Sequence, residues 1–243
     1  MRISELIEEQ IDEALSKWAK GAVAAGALGT AALGGYAAMQ NNPTPASEKS
    51  SSVKLEIPKI KANPEKVSEL LAAFNTVAGK TLVSAARGAG LKGRELAQFL
   101  AQCAHESLNF SKLREIGNSA YFKKYDIKHN PEKAKRLGNT RPGDGQRYIG
   151  RGYIQLTGRE NYRKAGNALG LPLEQHPELL EKPEVAAKVS VWYWKNRVSP
   201  KIDNFDNTQA ATRSINSALR GLGDRHGKYL ATLHILGILN KNS

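Results

Sequence analysis

A mainly α-helical domain with a small β-hairpin element is predicted from three observations. Apolar residues recur at helical spacing through most of the chain beyond residue 60. Helix-start signals precede several of these runs, and Asn63-Pro64-Glu65 is the clearest, a capping side chain followed by proline in the first turn. Only Arg147 to Thr157 alternates in the manner of paired strands, with Gly150 and Gly152 inside it.

Taken in order, residues 1–20 form an amphipathic N-terminal segment, with Ile3, Leu6, Ile7, Ile11, Leu15 and Trp18 on one face of a helix. Residues 21–39 carry no charge and contain eight alanines and five glycines. As a helix this stretch is about 28 Å long, close to a hydrocarbon core, yet it has little bulk. A weak signal-anchor, a cleavable export signal and a docking tail all fit it, because the acidic residues before Lys17 make an atypical leader. Residues 40–52 are a polar linker, and 53–243 form the folded domain. In it, Val67, Leu70, Leu71 and Phe74 follow the Asn63 start, and Gly93 opens a helix carrying Leu96, Phe99, Leu100 and Cys103. Asp126 to Asp144 reads as a long surface loop. Further helices are expected over Arg159–Leu169, Pro183–Arg197, Thr208–Leu219 and Asp224–Leu239.

The net charge of +13 is uneven: residues 1–52 hold four basic and six acidic side chains, and the remainder holds 32 and 17, or +15. A domain so basic is drawn to polyanions; on charge alone nucleic acid and an anionic cell envelope are both candidates, and the chain's glycan-cutting residues make the envelope, not nucleic acid, the expected partner. The single cysteine, Cys103, excludes an internal disulfide and sits on an apolar helix face, where it behaves as a small hydrophobe. The histidines are scattered without metal-ligand spacing, so neither a metal nor another cofactor is expected.

The chemistry-bearing residues cluster in Ala104-His105-Glu106-Ser107, in Glu115, and in Arg147-Tyr-Ile-Gly-Arg-Gly-Tyr-Ile-Gln-Leu-Thr-Gly158. Phe99, Cys103, Glu106 and Phe110 keep helical spacing, which puts Glu106 on an apolar stripe, where partial desolvation suits a general acid. Glu115 can work with it only if the helix ends between them. A continuous helix would separate the two by about 13.5 Å along its axis, on opposite sides. Asn109 and Ser111 permit such an end, and Glu115 is then placed to act as a base on water. Small residues at Gly150 and Gly152 let backbone approach a ligand, with Gln155, Thr157 and Asn161 supplying polar groups. His105 reads as a supporting hydrogen-bonding residue. The equipment is that of a glycan hydrolase.

These segments, with Pro177-Glu-Leu-Leu-Glu-Lys-Pro-Glu184 and Thr212-Arg-Ser-Ile-Asn216, resemble the family-19 glycoside hydrolases, the chitinase-like lysozymes common among phage endolysins. The likeness spans roughly Leu96 to Gly237. It implies a two-lobed, mainly helical, lysozyme-like fold with the site in its cleft, and an inverting mechanism. By position it implies that Glu106 is the general acid, Glu115 the general base, and Thr157 a holder of the attacking water. It also implies sugar contacts from Gln155, Asn161 and Asn216, with Arg225 supporting the cleft; His105 and Tyr148, in the same segments, are further substrate-binding candidates. This chain has Ser217-Ala218 where the family usually has two glycines, and Tyr153 where many members have proline or leucine. The plant-type insertion between the glutamates is absent, which favours peptidoglycan over crystalline chitin.

The function expected is that of a muramidase. It would cut the β-1,4 bond between N-acetylmuramic acid and N-acetylglucosamine and be exported to the periplasm or wall of a bacterial host, with passing inner-membrane association through 21–39. A lytic transglycosylase, a chitinase on the same fold, and a non-enzymatic wall-binding virion protein are the alternatives.

Overall fold

The computed structural model describes residues 62–239. The expected amphipathic segment, the apolar segment and the linker, with residues 53–61 of the expected domain, lie outside the described residues. Among the described residues ten α-helical segments follow one another, joined by turns: α1 Pro64–Asn75, α2 Val77–Gly88, α3 Gly93–Glu106, α4 Ser119–Phe122, α5 Pro131–Leu137, α6 Asp144–Arg147, α7 Arg159–Leu169, α8 Pro183–Tyr193, α9 Thr208–Ile215 and α10 Leu222–Ile235. Among the described residues no helix is long and apolar enough to cross a membrane.

The centre of the domain is α3. Every residue from Leu96 to Ala104 is buried, so this helix is covered all round, as a helix with few outward charges must be. α10 lies across both α3 and α1, with Tyr229 and Leu233 packed on Ala97 and Ala101. α2 lies against α8, which is buried from Val185 to Val191. Trp194 closes the end of α8, packing edge-on against Phe99 at 5.6 Å between ring centroids and donating its indole N–H to Glu95.

The start of α1 obeys its signals: the Asn63 side chain accepts from the amides of Glu65 and Lys66 and Pro64 fills the first turn. Thr76 ends α1 and caps α2, its hydroxyl accepting from Gly79 N at 3.0 Å.

Four expectations change. Residues 126–144 are not one loop, because α5 interrupts them. Asn130 caps it, Pro131 stands in its first turn, and Gly138 closes it in the left-handed conformation at φ 65°. The strand pair at 147–157 shrinks to isolated bridges, Arg114 with Arg151 and Arg151 with Leu156, around a tight turn. α9 stops at Ile215 instead of Leu219, and the α8 helix gives way to a π turn after Tyr193.

A smaller lobe built around residues 111–147 stands against the helical core, which Tyr148, Tyr153, Ile154 and Leu156 join. It is pinned by Asn139, buried, which donates to Tyr125 O at 2.9 Å and accepts from Arg159 N at 2.8 Å. Asp144 accepts both Nε and Nη2 of Arg159 and two backbone amides, of Thr140 and Arg141. Burial opposes its charge, but these donors win and hold its carboxyl below the usual carboxylate range.

Candidate active site

The cleft between lobe and core encloses about 700 Å³. Glu106 and Glu115 both line it, together with Gln155, Thr157 and Asn216. The chain achieves this by ending α3 at Glu106 itself. Leu108, Asn109 and Phe110 then take positive φ values of 48°, 54° and 67° in succession. Left-handed backbone costs about 1–2 kcal/mol per non-glycine residue, so three in a row must be held from outside. Ser107 does much of the holding: its hydroxyl donates to Cys103 O and accepts from Phe110 N, and its carbonyl accepts from Lys112 N. Phe110 is buried and stacks on Phe74 at 5.5 Å. The reversed chain returns Glu115 to the cleft and leaves Leu108 59% exposed on its wall.

Glu106 does not rest on apolar side chains alone. Its Oε1 accepts Nη2 of Arg225 at 2.5 Å, and the same guanidinium donates Nη1 to Oε1 of Gln102 at 2.6 Å. Gln102 and Glu106 are one helical turn apart, so both face Arg225 from α3. The expectation of an apolar surround is therefore corrected: an ion pair meets the carboxylate from below. Cys103, beside it, is fully buried, and burial pushes its thiol well up, with the Glu106 charge adding and Arg225 opposing.

Glu115 is held by three donors. Oε1 accepts the Tyr125 hydroxyl at 2.8 Å and Nζ of Lys124 at 3.4 Å, while Oε2 accepts Gly150 N at 3.0 Å. Burial first, and then the Glu115 carboxylate, raise the Tyr125 pKa, so its hydroxyl stays a donor. Gly150 is where the polar wall closes. A Cβ on it would come within 2.7 Å of Gln155 Oε1, 3.1 Å of Glu115 Oε2 and 3.3 Å of Thr157 Oγ1. Three oxygens thus converge at one backbone position that admits no side chain.

Other expected site residues lie elsewhere. Asn161 donates to Thr157 O at 2.7 Å and shapes the turn from behind. His105 does not line the cleft; its Nδ1 binds Asp224 at 2.7 Å, joining Lys66 and Lys228 on that carboxylate. Tyr148 is 1% exposed and donates to Glu174 O, so sugar contact does not fit it. It lines a separate concavity of about 810 Å³ with Arg141, Arg147 and Arg159, where Asp144 and Glu174 are both tied up by Arg159. Arg225 is buried beneath Glu106. Sequence reasoning missed Tyr125, Lys124 and Gln102; only Gln102 left a trace, as the residue one turn before Glu106. Among the described residues no group of three His, Cys, Asp or Glu side chains could hold a metal ion.

Residues 66–218 match the sequence pattern of glycoside hydrolase family 19, described as chitinase class I. The chain belongs to family 19. It is 34% identical over 159 residues to a glycosyl hydrolase family 19 domain-containing protein of Haemophilus influenzae, covering 56% of this chain and 78% of that one. Against an endochitinase of Arabidopsis thaliana it is 37% identical over 124 residues, covering 51% and 39%, so it spans well under half of that relative. The crystal structure of a bacterial family 19 chitinase aligns with a TM-score of 0.52 and 27% identity over 73% of this chain and 95% of that one. The family 19 fold, a glycoside hydrolase of chitinase-like type, is thereby shared, and the mostly helical prediction holds.

Proposed function

We propose that this family 19 domain is a muramidase-type peptidoglycan hydrolase working by inversion, in the manner of an endolysin. The observation that carries the reading is the meeting of Glu106 and Glu115 in one cleft, each gripped by its own donors. In the reaction Glu106 gives its proton to the glycosidic oxygen as the C1–O bond breaks. Glu115 takes a proton from water as the water oxygen bonds C1 from the opposite face, an arrangement that needs carboxyls about 6.5–9.5 Å apart. Arg225 then meets the charge that develops on Glu106 as its proton leaves. Gln155 and Thr157, beside Glu115, offer acceptors to the water's hydrogens. Exchange with solvent resets both acids.

Peptidoglycan rather than chitin is supported by the +15 charge beyond residue 52 and by only eight residues between the glutamates. Gly21 to Met39 would carry the domain toward the envelope. A chitinase is the second reading, favoured by the plant endochitinases among its relatives. Glu106→Gln and Glu115→Gln, made separately, are expected to slow release of reducing ends from purified sacculi by about 10²–10⁴-fold each. Wild-type rates in both variants overturn the assignment. Anhydro products would mean transglycosylation, and turnover of chitin oligomers alone would mean a chitinase.

A further inference from the structure

Both acids of the cleft already have cations: Arg225 on Glu106 and Lys124 on Glu115. Arg114, on the rim, is held by Glu181 at 2.9 Å. Lys112 and Lys133 line the same cleft, and among the described residues neither ammonium reaches a carboxylate within ion-pair distance. Lys133 is half-buried on α5, with Nζ 4.7 Å from the Tyr125 ring centroid. Burial first, then Lys124, lower its pKa; Glu115 pulls the other way, and Arg136 and Arg220 add to the repulsion. Arg220 belongs to the loop between α9 and α10, the loop that also brings Asn216 and Ser217 to the cleft. A partly desolvated cation facing other cations is costly unless an anion joins it.

We propose that Lys112 and Lys133 form a rim that reads carboxylates on the glycan strand, namely those of the peptide stems of peptidoglycan. This rests on the muramidase reading and adds to it the group recognised. Neutral chitin offers nothing to such a rim. Each acid of the cleft is engaged at bonding distance by a different cation, and Glu115 offsets the Lys133 charge only in part. An incoming carboxylate therefore meets Lys133 in a place with less water than the open surface, where Coulomb attraction is stronger, with Lys112 exposed beside it.

The test uses two substrates, native sacculi and sacculi whose carboxylates have been converted to amides with a neutral amine. The wild-type protein is expected to show a KM about five- to tenfold higher on the amidated sacculi. A similar rise is expected on native sacculi in 0.5 M salt, where screening shortens to a few ångströms. The double variant Lys112→Gln/Lys133→Gln is expected to lose most of this discrimination, its KM on native sacculi rising toward the amidated value. Equal KM for both substrates in the wild type, or an unchanged ratio in the double variant, overturns the rim and leaves the muramidase reading standing. No reducing ends from either kind of sacculi, with chitin oligomers cut, removes the muramidase reading and the rim together.

Discussion

Arg225, 1% exposed, donates Nη2 to Oε1 of Glu106 at 2.5 Å, so a residue of α10 sets the position of the last residue of α3. The guanidinium is also bonded to Gln102 Oε1 and to the Arg220 carbonyl, which ties the loop before α10 to the same point. Arg225→Met keeps the bulk and removes every donor. A half-buried carboxylate and a buried amide oxygen are then left without their donors, and folding stability should fall by about 2 kcal/mol. Thermal melts with a urea titration measure the stability, and sacculus turnover should fall by more than the loss of folded protein explains. Equal loss of both would make Arg225 a structural residue only.

Tyr125 orients the other carboxylate. Tyr125→Phe deletes one hydroxyl and leaves the ring that Lys124 and Lys133 cover at 4.6 and 4.7 Å. Net stability should change by about 1 kcal/mol or less. Glu115, left with only the longer Lys124 contact of 3.4 Å on Oε1, should hold water less well, so kcat drops about tenfold while KM stays near its original value. A rise in KM with kcat unchanged would place Tyr125 in sugar binding instead.

Much of this was readable in advance where local chemistry and tertiary packing agree. Arg159 to Leu169 is a helix to the residue because Gly158 and Gly170 bracket it and nothing beyond competes. α5 was equally announced by Asn130, Pro131 and Gly138, but seven residues among so many turn formers looked like loop. Glu115 meeting Glu106 depended on Leu108 to Phe110 turning left-handed, which their side chains disfavour and Ser107 and buried Phe110 impose. No periodicity encodes that. The Tyr125 hydroxyl was out of reach for the same reason: the short turns of Ser119–Phe122 and Lys123–Tyr125 decide where it points, and no long periodic pattern announces them. Tyr148 misled because its motif surrounds the site while its own side chain turns away to Glu174.

The left-handed turn makes its own prediction. Leu108 is exposed on the cleft wall at φ 48°, a conformation glycine adopts freely. In Leu108→Gly the relief of strain is offset by the greater entropy of the unfolded chain, so stability should stay within about 1 kcal/mol of wild type. Turnover should nevertheless fall, because the apolar surface offered to the substrate is gone. Leu108→Ala, which keeps the strain, separates the two effects: it should lose activity like the glycine variant but gain no stability.

Gly150 tests the convergence of oxygens. Gly150→Ala puts a methyl where Gln155 Oε1 and Glu115 Oε2 already stand, and both must move by several tenths of an ångström. The amide that holds Glu115 Oε2 is the residue's own, so the shift reaches the carboxylate directly. Activity should drop about 100-fold, in line with misplacing a catalytic group by a fraction of an ångström. The fold, measured by circular dichroism and melting, should survive. Wild-type turnover in this variant would show that Glu115 is not used where the structure holds it.

Asp224 gives the acid limb of stability. It binds Lys66 of α1, His105 of α3 and Lys228 of its own helix, joining three elements at one carboxylate. Burial works against its charge, but Lys228, Lys66 and His105 outweigh it and hold the group well below the usual carboxylate range. The stabilisation is therefore complete above the ordinary aspartate value of about 3.9. As pH falls through that value toward the depressed one, the unfolded chain takes up the proton first and the advantage drains away. Asp224→Asn should cost about 1–2 kcal/mol at pH 7, a figure reduced because a third of the side chain is exposed and screened. Urea titrations of both proteins at pH 7, 5 and 3 should show the gap steady from 7 to 5 and narrowing at 3. A gap that widens in acid would mean that Asp224 is protonated in the folded protein, with its three partners bound elsewhere.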